Sequence, residues 1–216
     1  MPRPKLIPHT RLPYHVRARS NNREWFYLPK EDVWRICLHV LEKTIENYGL
    51  QLISFVLMDN HYHMLVLTPF GNLGDCMLYF GRQVSKQIGL ESGRINRIFG
   101  GRYQRTIIEK SSYFRNAFKY VYRNPVEAGL CTNVEDYPFS TLRWEANRSP
   151  LPLSLPPDWM FNEIPANQEE QIRWLNEPFQ GKQREIIRLG LRRQVFSWPK
   201  ATEFKNEVAS LELSDR

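Results

Sequence analysis

Cysteine is scarce in this sequence. Only Cys37, Cys76 and Cys131 occur, far apart and with no CxxC pair, which argues against a zinc knuckle and a disulfide framework. Cys37 and Cys76 fall on apolar helix faces, where a free thiol acts as a small core residue. Long apolar runs are missing too. Met1 to Thr10 lacks the apolar stretch of a signal peptide, and no segment could span a bilayer, so a reducing, cytoplasmic setting with no membrane partner is expected. There is no internal repeat. Acid is the minority charge: 23 Asp and Glu against 30 Lys and Arg leave a formal net charge of +7, which favours a polyanionic partner through long-range attraction. With 42% hydrophobic content, 216 residues suffice for one domain and an appendage.

The first dozen residues are basic and proline-containing, and read as an arm. From Pro13 to Arg19 the chain alternates, with His15, Arg17 and Arg19 on one side of a strand. Glu31 to Tyr48 carries a helical stripe through Val33, Ile36, Cys37, Val40 and Leu41, and Gly49 is placed to stop it. Leu50 to Met58 reads as a buried strand, Asp59-Asn60 as a break and His61 to Leu67 as the returning strand of a hairpin. Asn72 with Asp75 can cap a second helix closed by Gly89. Residues 91–102 form an Arg- and Gly-rich loop, Tyr103 to Ile108 a fourth strand, and Ser111 or Ser112 caps a helix ending near Asn124, before Pro125.

That order predicts an α+β fold: a ferredoxin-like, split βαβ antiparallel sheet with helices on one face, spanning residues 1–145. Beyond it, residues 146–216 are expected to form a proline-rich connector and a helical C-terminal extension. Its basic stretch (Lys182, Arg184, Arg188, Arg192, Arg193) suits either a DNA clamp or a solvated amphipathic face, and the second is the plainer reading.

Two clusters could carry chemistry. In His61-Tyr62-His63, side chains two apart on a strand share a face, so both imidazoles converge while Tyr62 points away. Paired neutral imidazoles can ligate a divalent ion; the plain alternative is two polar residues on a half-exposed strand. On the third helix, Tyr120 and Asn124 stand four apart and share one face, whereas Tyr122 lies on another. If this helix covers the face carrying His61 and His63, the four groups meet. Spacing alone favours the plainer reading of packing tyrosines and a helix-ending Asn124.

These residues resemble a family. Val56-Leu57-Met58-Asp59-Asn60-His61-Tyr62-His63-Met64-Leu65-Val66 is similar to the HUH motif of single-tyrosine transposases, and especially to those associated with repetitive extragenic palindromes (REP). Tyr120-Val121-Tyr122-Arg123-Asn124-Pro125 resembles their tyrosine helix, and Asp136-Tyr137-Pro138-Phe139-Ser140 the segment after it. Pro13 to Arg19 also fits. One departure is Tyr62, where the family usually has an aliphatic or other bulky apolar residue.

The resemblance implies a metal-dependent single-strand DNA endonuclease and strand transferase, with Tyr120 as nucleophile forming a 5′-phosphotyrosine link on hairpin-containing DNA. It implies His61, His63 and Asn124 as ligands of Mg²⁺ or Mn²⁺. For contacts to single-stranded or hairpin DNA the candidates are His15, Arg17, Arg19, Arg23, Arg94, Arg97, Arg102 and Arg105. Rival readings are a domesticated, catalytically silent protein that holds structured nucleic acid, an RNA-binding protein of the same fold, and a different HUH nuclease. Monomer and homodimer stay equally open.

Overall fold

The computed structural model describes residues 8–142, 151–154, 157–161, 163–199 and 204–212. Strand β1 (Tyr14–Arg19) is followed by helix α1 (Lys30–Tyr48), the hairpin β2 (Gln51–Leu57) and β3 (His61–Leu67), α2 (Leu73–Ser92), β4 (Gln104–Ile107) and α3 (Ser111–Glu127). Four shorter helices come next: α4 (Asp158–Phe161), α5 (Gln168–Asn176), α6 (Gln183–Gly190) and α7 (Lys205–Glu212). The sheet is antiparallel in the order β2-β3-β1-β4, the split βαβ arrangement that the sequence predicts.

Strand alternation sorts the sheet into two unlike faces. Tyr14, Val16 and Ala18 of β1 join Tyr62, Met64 and Val66 of β3 on one side. There α1 and α2 cover them: Trp34 stacks on Phe55 at 5.3 Å and Phe80 meets Tyr62 edge-on at 5.5 Å. The two helices of the βαβ units therefore share a face, as expected. The register places Arg17 opposite His63 and Arg19 opposite His61 on the other side. That polar face is covered by α3, an addition to the ferredoxin-like unit.

Three local expectations are corrected. The second helix passes Gly89 and closes at Gly93 (φ 68°). A Cβ at Gly89 would come within 3.1 Å of the Arg94 carbonyl oxygen, so glycine there makes room for the returning chain. Asn72 does not cap α2 with its side chain; its Nδ2 donates to the Tyr48 carbonyl at 2.9 Å. The third helix includes Pro125 and ends two residues later. Its end is signalled by Gly129 (φ 71°), where Leu130 N donates to Pro125 O at 2.9 Å and Gly129 N to Val126 O at 3.0 Å, a Schellman motif. Pro125 is buried in that last turn, where it forgoes one helix donor.

Both sheet edges are covered, which removes the exposed ladder groups that invite aggregation. Along β2, Leu57 N donates to Phe139 O at 3.0 Å, the Tyr137 hydroxyl donates to Leu57 O at 2.7 Å, and Ser154 N donates to Leu52 O at 2.7 Å. Along β4, Ile107 N donates to Gln194 O and Phe196 N to Ile107 O, both at 2.8 Å. The Thr106 hydroxyl reaches the carbonyls of Leu191 and Arg193. The C-terminal segment thus packs on the sheet domain. Tyr113 of α3 contacts the rings of Phe196 and Trp198 at 4.7 and 5.2 Å, and the buried Arg123 donates to the carbonyls of Leu175 and Asn176. The expected boundary at residue 145, and the arm as far as Ile7, lie outside the described residues.

Candidate active site on the histidine face

Helix α3 brings the two sequence clusters together. The ring of Tyr120 stands edge-on to His63, centroids 5.7 Å apart, and His61 meets His63 edge-on at 5.1 Å. Tyr120 and Asn124 are each 6% exposed. Asn124 Nδ2 donates to the Tyr120 carbonyl at 2.7 Å, which employs the amide's donor and leaves its oxygen out of that bond. Tyr122 turns away: it is 1% exposed and its hydroxyl lies 3.0 Å from Thr141 Oγ1.

Burial sets the protonation of this face. Desolvation, followed by the field of Arg19 and Arg17, lowers the His61 imidazole to about 4. Desolvation, then His15, His61 and the same arginines, holds His63 well below the ordinary imidazole range. Both are therefore neutral near neutral pH, the state in which imidazole has a lone pair to offer. Burial raises the Tyr120 phenol, and Arg17, Arg184, Arg188 and Arg192 hold back part of that rise.

The histidines have a third member. His15, expected at the DNA surface, is 1% exposed, its ring nearly coplanar with that of His63, centroids 5.1 Å apart and Nε2 2.8 Å from His63 Nδ1. That is a correction: the basic face of β1 divides along its length. His15 lies edge-on to Tyr120 of α3, Arg17 is half-buried, and Arg19 is exposed. The Arg17 guanidinium donates to the Gln104 side chain, while its Nε is buried without a protein partner.

Beside His61 opens a cleft of about 890 Å³. Arg17, Arg19, Arg23, Arg102, Arg105, Arg192 and Arg193 line it, and no Asp or Glu does. Five of these were candidates from sequence. The last two come from the C-terminal basic stretch and are exposed there, lining the cleft from its solvated side. No local periodicity signals them, because they reach the site only by packing along β4. A larger cleft of about 1320 Å³ follows the outer side of α2 and shares Arg102, Tyr103 and Arg105 with the first. Arg94 lines it, with its guanidinium 3.5 Å from the Tyr27 ring centre. Arg97 is exposed and lines neither.

Among the described residues no group of three or more His, Cys, Asp or Glu side chains is placed to hold a metal ion. The nearest approach to such a group is the pair His61 and His63, with Asn124 one helical turn beyond Tyr120 on α3. Two neutral imidazoles, with an amide oxygen as a further donor, have the chemistry to take an exchangeable divalent ion.

A split βαβ sheet with paired histidines on a central strand and a tyrosine helix laid over them is the arrangement expected of the single-tyrosine HUH class. No family model matches the chain. The REP-associated tyrosine transposase of Escherichia coli K12 is 25% identical over 139 residues, covering 64% of this chain and 80% of that protein. A putative REP-associated tyrosine transposase of Haemophilus influenzae is 24% identical over 132 residues, covering 56% and 73%. A solved structure of a REP-associated tyrosine transposase bound to a REP hairpin matches with a TM-score of 0.55 at 21% identity, over 74% of this chain and 93% of that one, a likeness of fold. The chain is a relative of the REP-associated tyrosine transposases, the group that its motifs resemble. No described helix is long and apolar enough to cross a membrane.

Proposed function

We propose that this protein is a metal-dependent endonuclease and strand transferase acting on single-stranded, hairpin-containing DNA through Tyr120. The observation that carries the reading is the placement of Tyr120 against His63, on the sheet face where His61 opens into an arginine-lined cleft free of acid. The curated relatives are transposases by name, and one solved relative is bound to a REP hairpin.

In this reading the cleft draws in the DNA backbone through charge, with Arg19, Arg23 and Arg102 on phosphates. Arg105 and Arg102 continue the basic lining into the cleft along α2, so a strand and its hairpin can occupy both. Arg17 lines the same cleft, so its guanidinium charge favours a phosphate placed there. A divalent ion, Mg²⁺ or Mn²⁺ on His61, His63 and Asn124, supplies Lewis-acid polarisation of that phosphate when bound.

Tyr120 Oη attacks phosphorus, the bond to the 3′-oxygen breaks, and the leaving oxygen takes a proton to become a free 3′-hydroxyl. The 5′-phosphotyrosine conserves the bond energy for rejoining to another 3′-end. A buried phenol is neutral near pH 7, so the arginines around Tyr120 lower the cost of the phenolate as it forms.

The test is incubation with labelled single-stranded hairpins and Mn²⁺, followed by denaturing electrophoresis. A protein–DNA adduct is expected from the wild type and from Tyr122→Phe, and none from Tyr120→Phe. An adduct that persists in Tyr120→Phe overturns the nucleophile assignment. If cognate hairpins are bound but never joined to protein, the silent binding protein replaces this reading.

A further inference from the structure

The two histidines of β3 are each held by the nitrogen nearer the backbone, and the two holders differ. His61 Nδ1 lies 2.8 Å from Asn60 Oδ1. The orientation of that carboxamide is fixed independently, because Asn60 Nδ2 donates to the Arg23 carbonyl at 2.7 Å. An amide oxygen only accepts, so His61 carries its proton on Nδ1 and keeps a lone pair on Nε2.

His63 has no such unambiguous partner. Its Nδ1 faces His15 Nε2 at 2.8 Å, and one proton lies between two rings that burial keeps neutral. If His15 donates, His63 is protonated on Nε2 and has no lone pair left for a ligand. If His63 donates, its Nε2 is free and matches that of His61. Because His15 Nε2 is committed to His63, it is not a third ligand through that nitrogen.

We propose that His15 is a positioning residue: it accepts the Nδ1 proton of His63 and so fixes His63 in the tautomer that leaves Nε2 open to the ion. This rests on the reading of His61 and His63 as a ligand pair, since only then must both lone pairs be available at one point. The two rings lie 19° from coplanar with centroids 5.1 Å apart, the edge-to-edge geometry of an in-plane N–H···N bond, and both are buried. Orientation of a ligating imidazole through its second nitrogen is worth about 10- to 100-fold in metal affinity.

The metal-free full chain, labelled with ¹⁵N at histidine, reports the tautomer directly in long-range ¹H–¹⁵N correlation spectra. His63 is expected with its proton on Nδ1. In His15→Phe that preference should disappear, and Mn²⁺ affinity, measured from free-ion electron paramagnetic resonance, should fall by roughly 10- to 100-fold. His15→Gln, whose Oε1 can accept from the same direction, should restore most of the affinity. A wild-type His63 protonated on Nε2 overturns the proposal, as does equal Mn²⁺ affinity in all three proteins. Should His15→Phe fail to fold, the wild-type spectrum and His15→Gln still decide. None of these readouts uses DNA, so a protein that satisfies them without forming an adduct contradicts the nuclease reading and leaves the positioning role intact.

Discussion

Acid should unfold this protein through its buried histidines, and His15 gives the size of the effect. Desolvation, followed by the charge of Arg17, lowers its imidazole from 6.5 to about 3. A group whose folded value is depressed contributes nothing to pH dependence above its unfolded value. Below that value the unfolded chain binds a proton that the folded chain refuses, so stability falls with pH until the folded value is reached. At about pH 5 this difference is about 2 kcal/mol, against about 0.2 kcal/mol at about pH 7. His61 and His63 act in the same direction. Set beside a typical domain stability of about 5–15 kcal/mol, His15 alone is a sizeable fraction. Urea unfolding of the metal-free protein at both pH values, for the wild type and His15→Phe, isolates the term. The variant should lose about 2 kcal/mol less than the wild type between about pH 7 and about pH 5. Equal losses would refute the assignment of His15 as a buried neutral imidazole.

Arg123 ties α3 to the carbonyls at the end of α5 and to Glu127. Arg123→Ala should cost about 3 kcal/mol in urea unfolding, because it leaves those acceptors unmet in a buried place; a cost below about 1 kcal/mol would contradict the staple. The cleft arginines act on phosphate: Arg19→Ala or Arg102→Ala should weaken hairpin binding across sequences. Each should reduce the slope of log affinity against log salt by about 0.7 to 0.9, read by fluorescence anisotropy. Arg97→Ala, outside both clefts, should leave that slope unchanged.

Much of this site was legible because strand and helix periods are local. β3 runs from His61 to Leu67 as its alternation predicts, and Tyr120 and Asn124 share a face because they stand four apart. What period cannot report is which layer lies over a face. His15 alternates with Tyr14 and Val16 like any polar strand residue, yet it is buried with Tyr120 of α3 packed against it. Arg192 and Arg193 enter the cleft only because Thr106 and Ile107 bind the chain around them. Pro125 was a poor stop signal beside Gly129, whose left-handed backbone completes the Schellman motif.

The most direct test of the central claim is to isolate the protein–DNA adduct formed with a cognate hairpin and Mn²⁺, digest it and locate the modified residue by mass spectrometry. The account predicts a 5′-phosphodeoxynucleotide on the peptide containing Tyr120, with the DNA on Tyr120 itself. DNA attached to Tyr122, or to any residue away from the histidine face, would contradict it.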